Sequence, residues 1–152
     1  MKNPTFRPAR PDDASICIAL RGLTRENAFT EGELSALGIT VDSWSAGISG
    51  GSSPGFVACL DGQIIGYCFG DRDSGEITVL ALLPAYEGQG IGKQLLGMMS
   101  DNFRNQGFSR LFLACSNDPK MRSYGFYRHL GWTSTGKLDE AGDEILEFSF
   151  RG

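Results

Sequence analysis

Histidine is nearly missing from this chain of 152 residues: His129 is the only one. The four cysteines, Cys17, Cys59, Cys68 and Cys115, are scattered and form no Cys-x-x-Cys pair. A structural zinc site therefore has no ligand set, and no metal is expected. Set among apolar neighbours, the cysteines read as reduced thiols of a cytoplasmic protein, not as a disulfide framework. Basic residues are also in deficit, 14 Lys and Arg against 18 Asp and Glu, for a net charge of −4. Non-specific nucleic-acid binding needs clustered Lys and Arg, so the charge argues against it and no nucleic-acid partner is expected. No apolar run approaches the ~20 residues of a membrane span. The opening, MKNPTFRPARPDD, has no apolar core of a signal peptide. The expectation is one cytoplasmic domain spanning residues 1–152, with a core of its own and no contact with membrane or nucleic acid.

What the chain does have is a glycine-punctuated stretch at its centre. An apolar run from Ile77 to Leu83 is stopped by Pro84. Glu87-Gly88-Gln89-Gly90-Ile91-Gly92 follows, and then Ile91, Leu95, Met98 and Met99 recur at helical spacing. This predicts a buried strand, a glycine turn and a helix to about Gln106, with Gly107 as its C-terminal cap. Glycines at 88, 90 and 92 keep side chains clear, so backbone N–H groups converge at the positive end of a helix. That is a site for phosphate.

The rest of the chain reads as alternating elements. Thr5–Arg10 is an edge strand, and Asp12 or Asp13 caps a helix running to about Asn27 with Ile16, Ala19, Leu20 and Leu23 inward. Thr30 and Glu33 form a capping box, and Asp42 caps a short helix holding Trp44 and Ile48. Gly50–Gly55 is a loop. Phe56–Leu60 and Ile64–Phe69 are strands joined by Asp61-Gly62, a hairpin signal, and Asp71–Gly75 turns into the central strand. Arg110–Cys115 is a buried strand. Asp118 followed by Pro119 opens a helix to about Leu130, and Trp132–Lys137 and Glu144–Phe150 are closing strands.

Spacing decides among phosphate-binding turns. A Walker loop needs Gly five positions before Gly-Lys, where this chain has Glu87, and Ser or Thr after the Lys, where it has Gln94. A dinucleotide turn needs G-x-G-x-x-G, which Lys93 and Leu95 break. The stretch resembles motif A of the GNAT superfamily of N-acetyltransferases, (Arg/Gln)-x-x-Gly-x-(Gly/Ala), with Gly90-Ile91-Gly92 as its last three positions. Glu87 replaces the usual Arg or Gln, and a carboxylate there weakens pyrophosphate binding unless it points to solvent. Tyr127-Arg128-His129-Leu130-Gly131-Trp132 is similar to the family's Tyr-x-x-x-Gly-Phe motif B. The order of elements is also the family's.

The resemblance implies an α+β fold, a mixed and mostly antiparallel sheet of six to seven strands flanked by about four helices. It implies direct transfer of an acetyl group from acetyl-CoA to a primary amine on a small molecule or peptide, without a metal. Backbone groups at Leu82 and Leu83 would pair with the pantetheine amides, and Gly88, Gln89, Gly90, Ile91, Gly92 and Lys93 would hold the pyrophosphate. Asn117 would stand in for a family asparagine whose position is here Lys120. Tyr127 would protonate the leaving thiolate, and Glu76 would be the base, with Asp71, Asp73 and Asp118 as alternatives. Phe126 and Tyr124 would wall the acceptor pocket, and Glu26, Glu31 and Glu33 lie where relatives shape it. His129 reads as a surface residue, and nothing beside Cys115 in sequence would activate it as a nucleophile. A homodimer is the family-level expectation. Two alternatives stay open: a non-catalytic acyl-CoA sensor, and transfer of a longer acyl group.

Overall fold

The hairpin at Asp61-Gly62 sets the frame. Both residues lie at positive φ, 52° and 77°, as a type I′ turn requires. They join β2 (Gly55–Leu60) to β3 (Gln63–Asp71). The computed structural model describes residues 3–24 and 29–150. Around this hairpin stand β1 (Thr5–Pro8), β4 (Glu76–Leu82), β5 (Arg110–Cys115), β6 (Thr133–Leu138) and β7 (Glu144–Ser149). They form one seven-stranded sheet in the order β1-β2-β3-β4-β5-β7-β6. All neighbours are antiparallel except β4 and β5. That single parallel pair is also the weakest seam, with one register pair, Glu76 opposite Phe112. Beyond it the strands part.

Among the described residues five α-helices cover the two faces: α1 (Ala14–Arg21), α2 (Glu31–Ala36), α3 (Val41–Gly50), α4 (Ile91–Asn105) and α5 (Arg122–His129). On one face α4 lays Ile91, Leu95, Leu96, Met99 and Phe103 against the sheet, joined by Tyr127 and Trp132. On the other, Cys17 and Leu20 of α1 pack with Tyr67, Phe69 and Ala81, and Trp44 and Ile48 of α3 lean on them. The sheet is thus a middle layer between helices, and its central strand β3 is buried on both sides, while the edge strand β6 is exposed.

The expected fold class holds, and several local expectations need correction. α1 ends at Arg21, not near Asn27, which lies outside the described residues together with Glu26. Its buried stripe is Ala14, Cys17, Ile18 and Leu20, while Ile16 and Leu23 are 49 % and 64 % exposed. Counting Cys17 as apolar restores the i, i+3, i+4 pattern from Ala14. Thr40, not Asp42, caps α3: its hydroxyl accepts the Ser43 N–H at 3.1 Å and the Ser43 hydroxyl accepts the Thr40 N–H at 2.8 Å. The box at Thr30 and Glu33 forms as expected. The Gly50–Gly55 connection is tied down, since Ser52 O accepts the Arg72 N–H and Pro54 O the Gly70 N–H. α5 begins at Arg122, because Pro119 sits inside a turn in which the Asp118 carboxylate accepts the Lys120 N–H at 3.0 Å.

Candidate active site

A bulge prepares the site. Val79 pairs with Phe69 and Ile77 with Gly70, so Thr78 is left over, its hydroxyl donating to Phe69 O at 3.2 Å. The extra residue reverses the alternation of β4, sending Ile77 to the α4 face and Val79 toward Trp44. Beyond the bulge the edge of β4 that looks toward β5 has no strand against it. The gap is a cavity of ≈ 310 Å³, within the size range of small-molecule sites. Thr78, Leu80 and Leu82 line one side and Leu113 and Cys115 the other; Phe126 and Tyr127 of α5 close the back.

At one end lies the glycine turn. Gly88 and Gly90 have φ of 79° and 82°, and a Cβ built on either would meet nothing within 4 Å. Glycine is required there by backbone conformation, not by space. Gly90 is the N-cap of α4 and offers no side chain, and the first intrahelical bond is Gln94 N–H to Gly90 O. The N–H groups of Ile91, Gly92 and Lys93 therefore face outward at the positive end of a 15-residue helix. Gly88, Gly90, Ile91, Gly92 and Lys93 all line the cavity, and Arg122 at the start of α5 adds a second cation. A polyphosphate fits this cradle. Glu87 also lines the cavity, half-buried, so it does not simply point to solvent.

Tyr127 is placed by the chain reversal after α5. Gly131, at φ 100°, lets the Trp132 N–H return to Tyr127 O at 3.1 Å. The buried Trp132 ring then stacks edge-on to Tyr127, centroids 6.1 Å apart. This explains the spacing of tyrosine, glycine and aromatic in the sequence. The Tyr127 side chain is 9 % exposed, and among the described residues no hydrogen bond engages its hydroxyl. No fully buried side-chain oxygen or nitrogen among them lacks a partner, so the phenol oxygen is the part that reaches the cavity. Burial pushes its pKa above the ordinary phenol value, with the Cys68 and Cys115 thiols adding to the rise. It is held as the neutral acid.

The remaining residues that the sequence points to divide. Leu82 lines the cavity. Leu83 does not: its N–H goes to Ile65 O at 2.9 Å and its carbonyl accepts the Tyr86 N–H. Gln89 and Asn117 are exposed and stand outside the lining. Glu76 opens β4 one residue before the lining begins, and burial, Asp71 and Asp139 raise its carboxyl pKa. Glu31 and Glu33 are exposed, the latter engaged in its capping box. Tyr124 lies under the Arg128 guanidinium, 3.7 Å from its centroid, and not at the cavity. His129 is exposed. Cys115 lines the cavity, but burial lifts its thiol to about 11, which leaves it protonated and unreactive. Thr24, Thr78, Ser116 and Asp143 line the cavity although no sequence motif points to them. Asp143 reaches it only because the β6–β7 hairpin folds back beside β5, a long-range placement no local pattern carries.

Among the described residues no cluster of His, Cys, Asp or Glu is arranged to hold a metal, and no helix is long and apolar enough to cross a membrane. The model of the acetyltransferase (GNAT) family matches residues 22–132. No curated protein sequence matches. Solved structures do. The PaiA N-acetyltransferase of Thermoplasma acidophilum, in complex with coenzyme A, is 17 % identical with a TM-score of 0.81, covering 97 % of this chain and 99 % of its own. The yncA protein of Salmonella typhimurium, solved with acetyl-CoA, is 18 % identical with a TM-score of 0.74, over 99 % and 95 %. The ribosomal-protein-S18-alanine N-acetyltransferase of Escherichia coli is 17 % identical with a TM-score of 0.72, over 99 % and 97 %. With the family match running from the end of α1 through the Tyr127 motif, the chain belongs to the GNAT family and is an acyl-CoA-dependent N-acetyltransferase.

Proposed function

We propose that this enzyme transfers an acetyl group from acetyl-CoA to a primary amine by direct attack, with Tyr127 as acid and Glu76 as base. The observation that carries this reading is the continuous cavity joining the glycine turn of α4, the open edge of β4 and the Tyr127 hydroxyl. The pyrophosphate rests on the amides from Gly88 to Lys93. The pantetheine arm lies along β4 up to Leu82 like an added strand. Leu83, both of whose backbone groups are engaged within the fold, takes no part.

An ammonium has no lone pair, so one proton must leave before attack. Glu76, its carboxyl raised by burial and by Asp71 and Asp139, takes it through water at the head of the cavity. The amine nitrogen bonds the thioester carbon, the carbon–sulfur bond breaks, and the thiolate receives the Tyr127 proton. The nitrogen loses its second proton to solvent, from which Tyr127 recovers its own. One proton is released per turnover.

The test is CoA release, followed with a thiol reagent, across polyamines, aminoglycosides, amino acids and peptides. Turnover on one class, reduced about 10²-fold in Glu76→Gln, is expected. Tight acetyl-CoA binding with no turnover on any amine would instead make the domain an acyl-CoA sensor.

A further inference from the structure

The helix that carries Tyr127 is short. α5 has eight residues, about 12 Å of helix. Phe126 and Tyr127 pack edge-on to each other, and Tyr127 does the same to Trp132. Apolar contact has no direction, so these rings hold the helix on the core without setting its rotation. The directional bonds come from the next residue. The Arg128 guanidinium lies over the Tyr124 ring, 3.7 Å from its centroid. Its Nη1 donates to Tyr124 O at 3.2 Å, and its Nη2 donates to the Glu144 carboxylate. Glu144 begins β7 and stands opposite Cys115, the last residue of β5 and part of the cavity wall. Both charges of the pair act on the Cys115 thiol. The ion pair therefore ties the helix of the acid to the strand end that walls the cavity.

Exposed ion pairs contribute little, and two features set this one apart. Its side chains are only 26 % and 15 % exposed, whereas in Arg110–Glu147, the other pair that reaches β7, the arginine is 55 % exposed and 3.4 Å away. The Glu144 carboxyl is also held below its ordinary pKa by the Ser134 hydroxyl of β6 and by Arg128, so it stays ionised and is anchored by a second strand. A guanidinium fixed by a ring, a carbonyl and a carboxylate sets orientation as well as attraction. We infer that Arg128 is a positioning residue, whose bond to Glu144 fixes the rotation of α5 and with it the place of the Tyr127 hydroxyl in the cavity. The inference rests on Tyr127 as the acid of the acetyl-transfer reading. Arg128 does not itself line the cavity. It acts through its neighbour, because proton transfer needs hydrogen-bond reach and a displacement of ~1 Å costs up to about 10²-fold.

The experiment measures CoA release with the fastest acceptor among spermidine, kanamycin, lysine and an alanyl tripeptide, probes for the four amine classes above. Calorimetry with acetyl-CoA counts the active enzyme, so partial loss of folded protein does not imitate the result. Arg128→Gln and Glu144→Ala should each lower kcat about tenfold, with the acetyl-CoA Kd and both KM values within about twofold of wild type. The double variant should lose no more than either single one. Arg128→Lys, which keeps the charge, should recover part of the loss. Arg110→Gln, which breaks the exposed pair on the same strand, should keep kcat within about twofold. The decisive background is Tyr127→Phe, itself down about 10²-fold, in which Arg128→Gln should change nothing further. An unchanged kcat in Arg128→Gln, an equal loss in Arg110→Gln, or a further tenfold loss on top of Tyr127→Phe would overturn the inference and leave acetyl transfer standing. A full kcat in Tyr127→Phe would remove the acid and the inference together. No turnover on any probe would remove the acetyl-transfer reading itself, and the inference with it.

Discussion

Two buried tyrosines show how one residue type serves opposite ends. The Tyr67 hydroxyl donates to Cys17 O at 3.0 Å and pins α1 to the sheet, whereas among the described residues nothing engages the Tyr127 hydroxyl. Removing the first breaks a buried hydrogen bond, at about 1 kcal/mol, although the Cys17 carbonyl stays inside α1. Removing the second costs the fold little, because Phe keeps the ring packing on Phe126 and Trp132. Tyr127→Phe should therefore melt within ~1 °C of wild type yet lose about 10²-fold in kcat. Tyr67→Phe should lower the melting temperature by several degrees with kcat nearly kept. Thermal melts beside CoA-release kinetics check both. Asp13 is the only charged residue in the buried set among the described residues. Its carboxylate takes two bonds from Arg7, at 2.8 and 3.0 Å, and one from the Arg10 N–H at 2.7 Å. Burial alone would raise its pKa, but the Arg7 and Arg10 bonds outweigh it and the carboxyl is held below its ordinary value. The ion form is thus favoured by folding, and its contribution is present above pH ~4 and lost as pH falls below. Asp13→Asn should cost about 1–3 kcal/mol at pH 7. In urea titrations the gap from wild type should shrink below pH ~4.

Among the elements, the glycine turn and α4 allow the sharpest contrast. Gly90 holds φ 82° as the N-cap, while Gly92 lies inside the helix with only the Phe126 ring near, 3.6 Å from a built Cβ. Alanine at 90 must adopt a left-handed backbone, at about 1–2 kcal/mol, and it disturbs the outward amides. Alanine at 92 meets ordinary van der Waals contact and gains helix propensity, about 0.5–1 kcal/mol. Gly92→Ala should be the more stable protein and Gly90→Ala the less stable, with acetyl-CoA affinity reduced only in the second; denaturant unfolding and calorimetry decide. Elements of this kind are legible in the sequence because their chemistry is local. Asp61-Gly62, the run into Pro84, Gly90-Ile91-Gly92 and the Thr30–Glu33 box each carry their geometry within a few residues. The inner face of α1 is less legible, because it emerges only when Cys17 counts as a small apolar side chain. The start of α5 is ambiguous because Asp-Pro suits an N-cap and a turn equally well. Glu31 and Glu33 match the expected acceptor carboxylates by position, but their side chains stay in solvent. Asp143 reaches the cavity wall only after a fold-back that local periodicity does not register.

At the scale of the whole molecule the seam between β4 and β5 matters most. Strands β1 to β4 and strands β5 to β7 meet through one register pair, Glu76 with Phe112, and the Phe112 N–H to Gly75 O at 3.3 Å. α4 packs on β2, β3 and β4, and with β5 and α5 residues it shares the core that spans the seam. A sheet left open at its middle exposes backbone groups that a buried strand would pair. A ligand laid along β4 supplies those bonds and adds its own contacts to both halves, so binding should act as a weld. Acetyl-CoA at about 100 times its Kd should stabilise the fold by about 2.7 kcal/mol, or roughly 5–10 °C in melting temperature for a chain of this size. The distribution of the effect is the stricter check. In hydrogen exchange, the amides of β4 that face β5 and the first turn of α4 should slow most, and β1 should not change beyond the global shift. Equal slowing in β1 and β4 would mean that the ligand tightens the fold at large and does not complete its open seam.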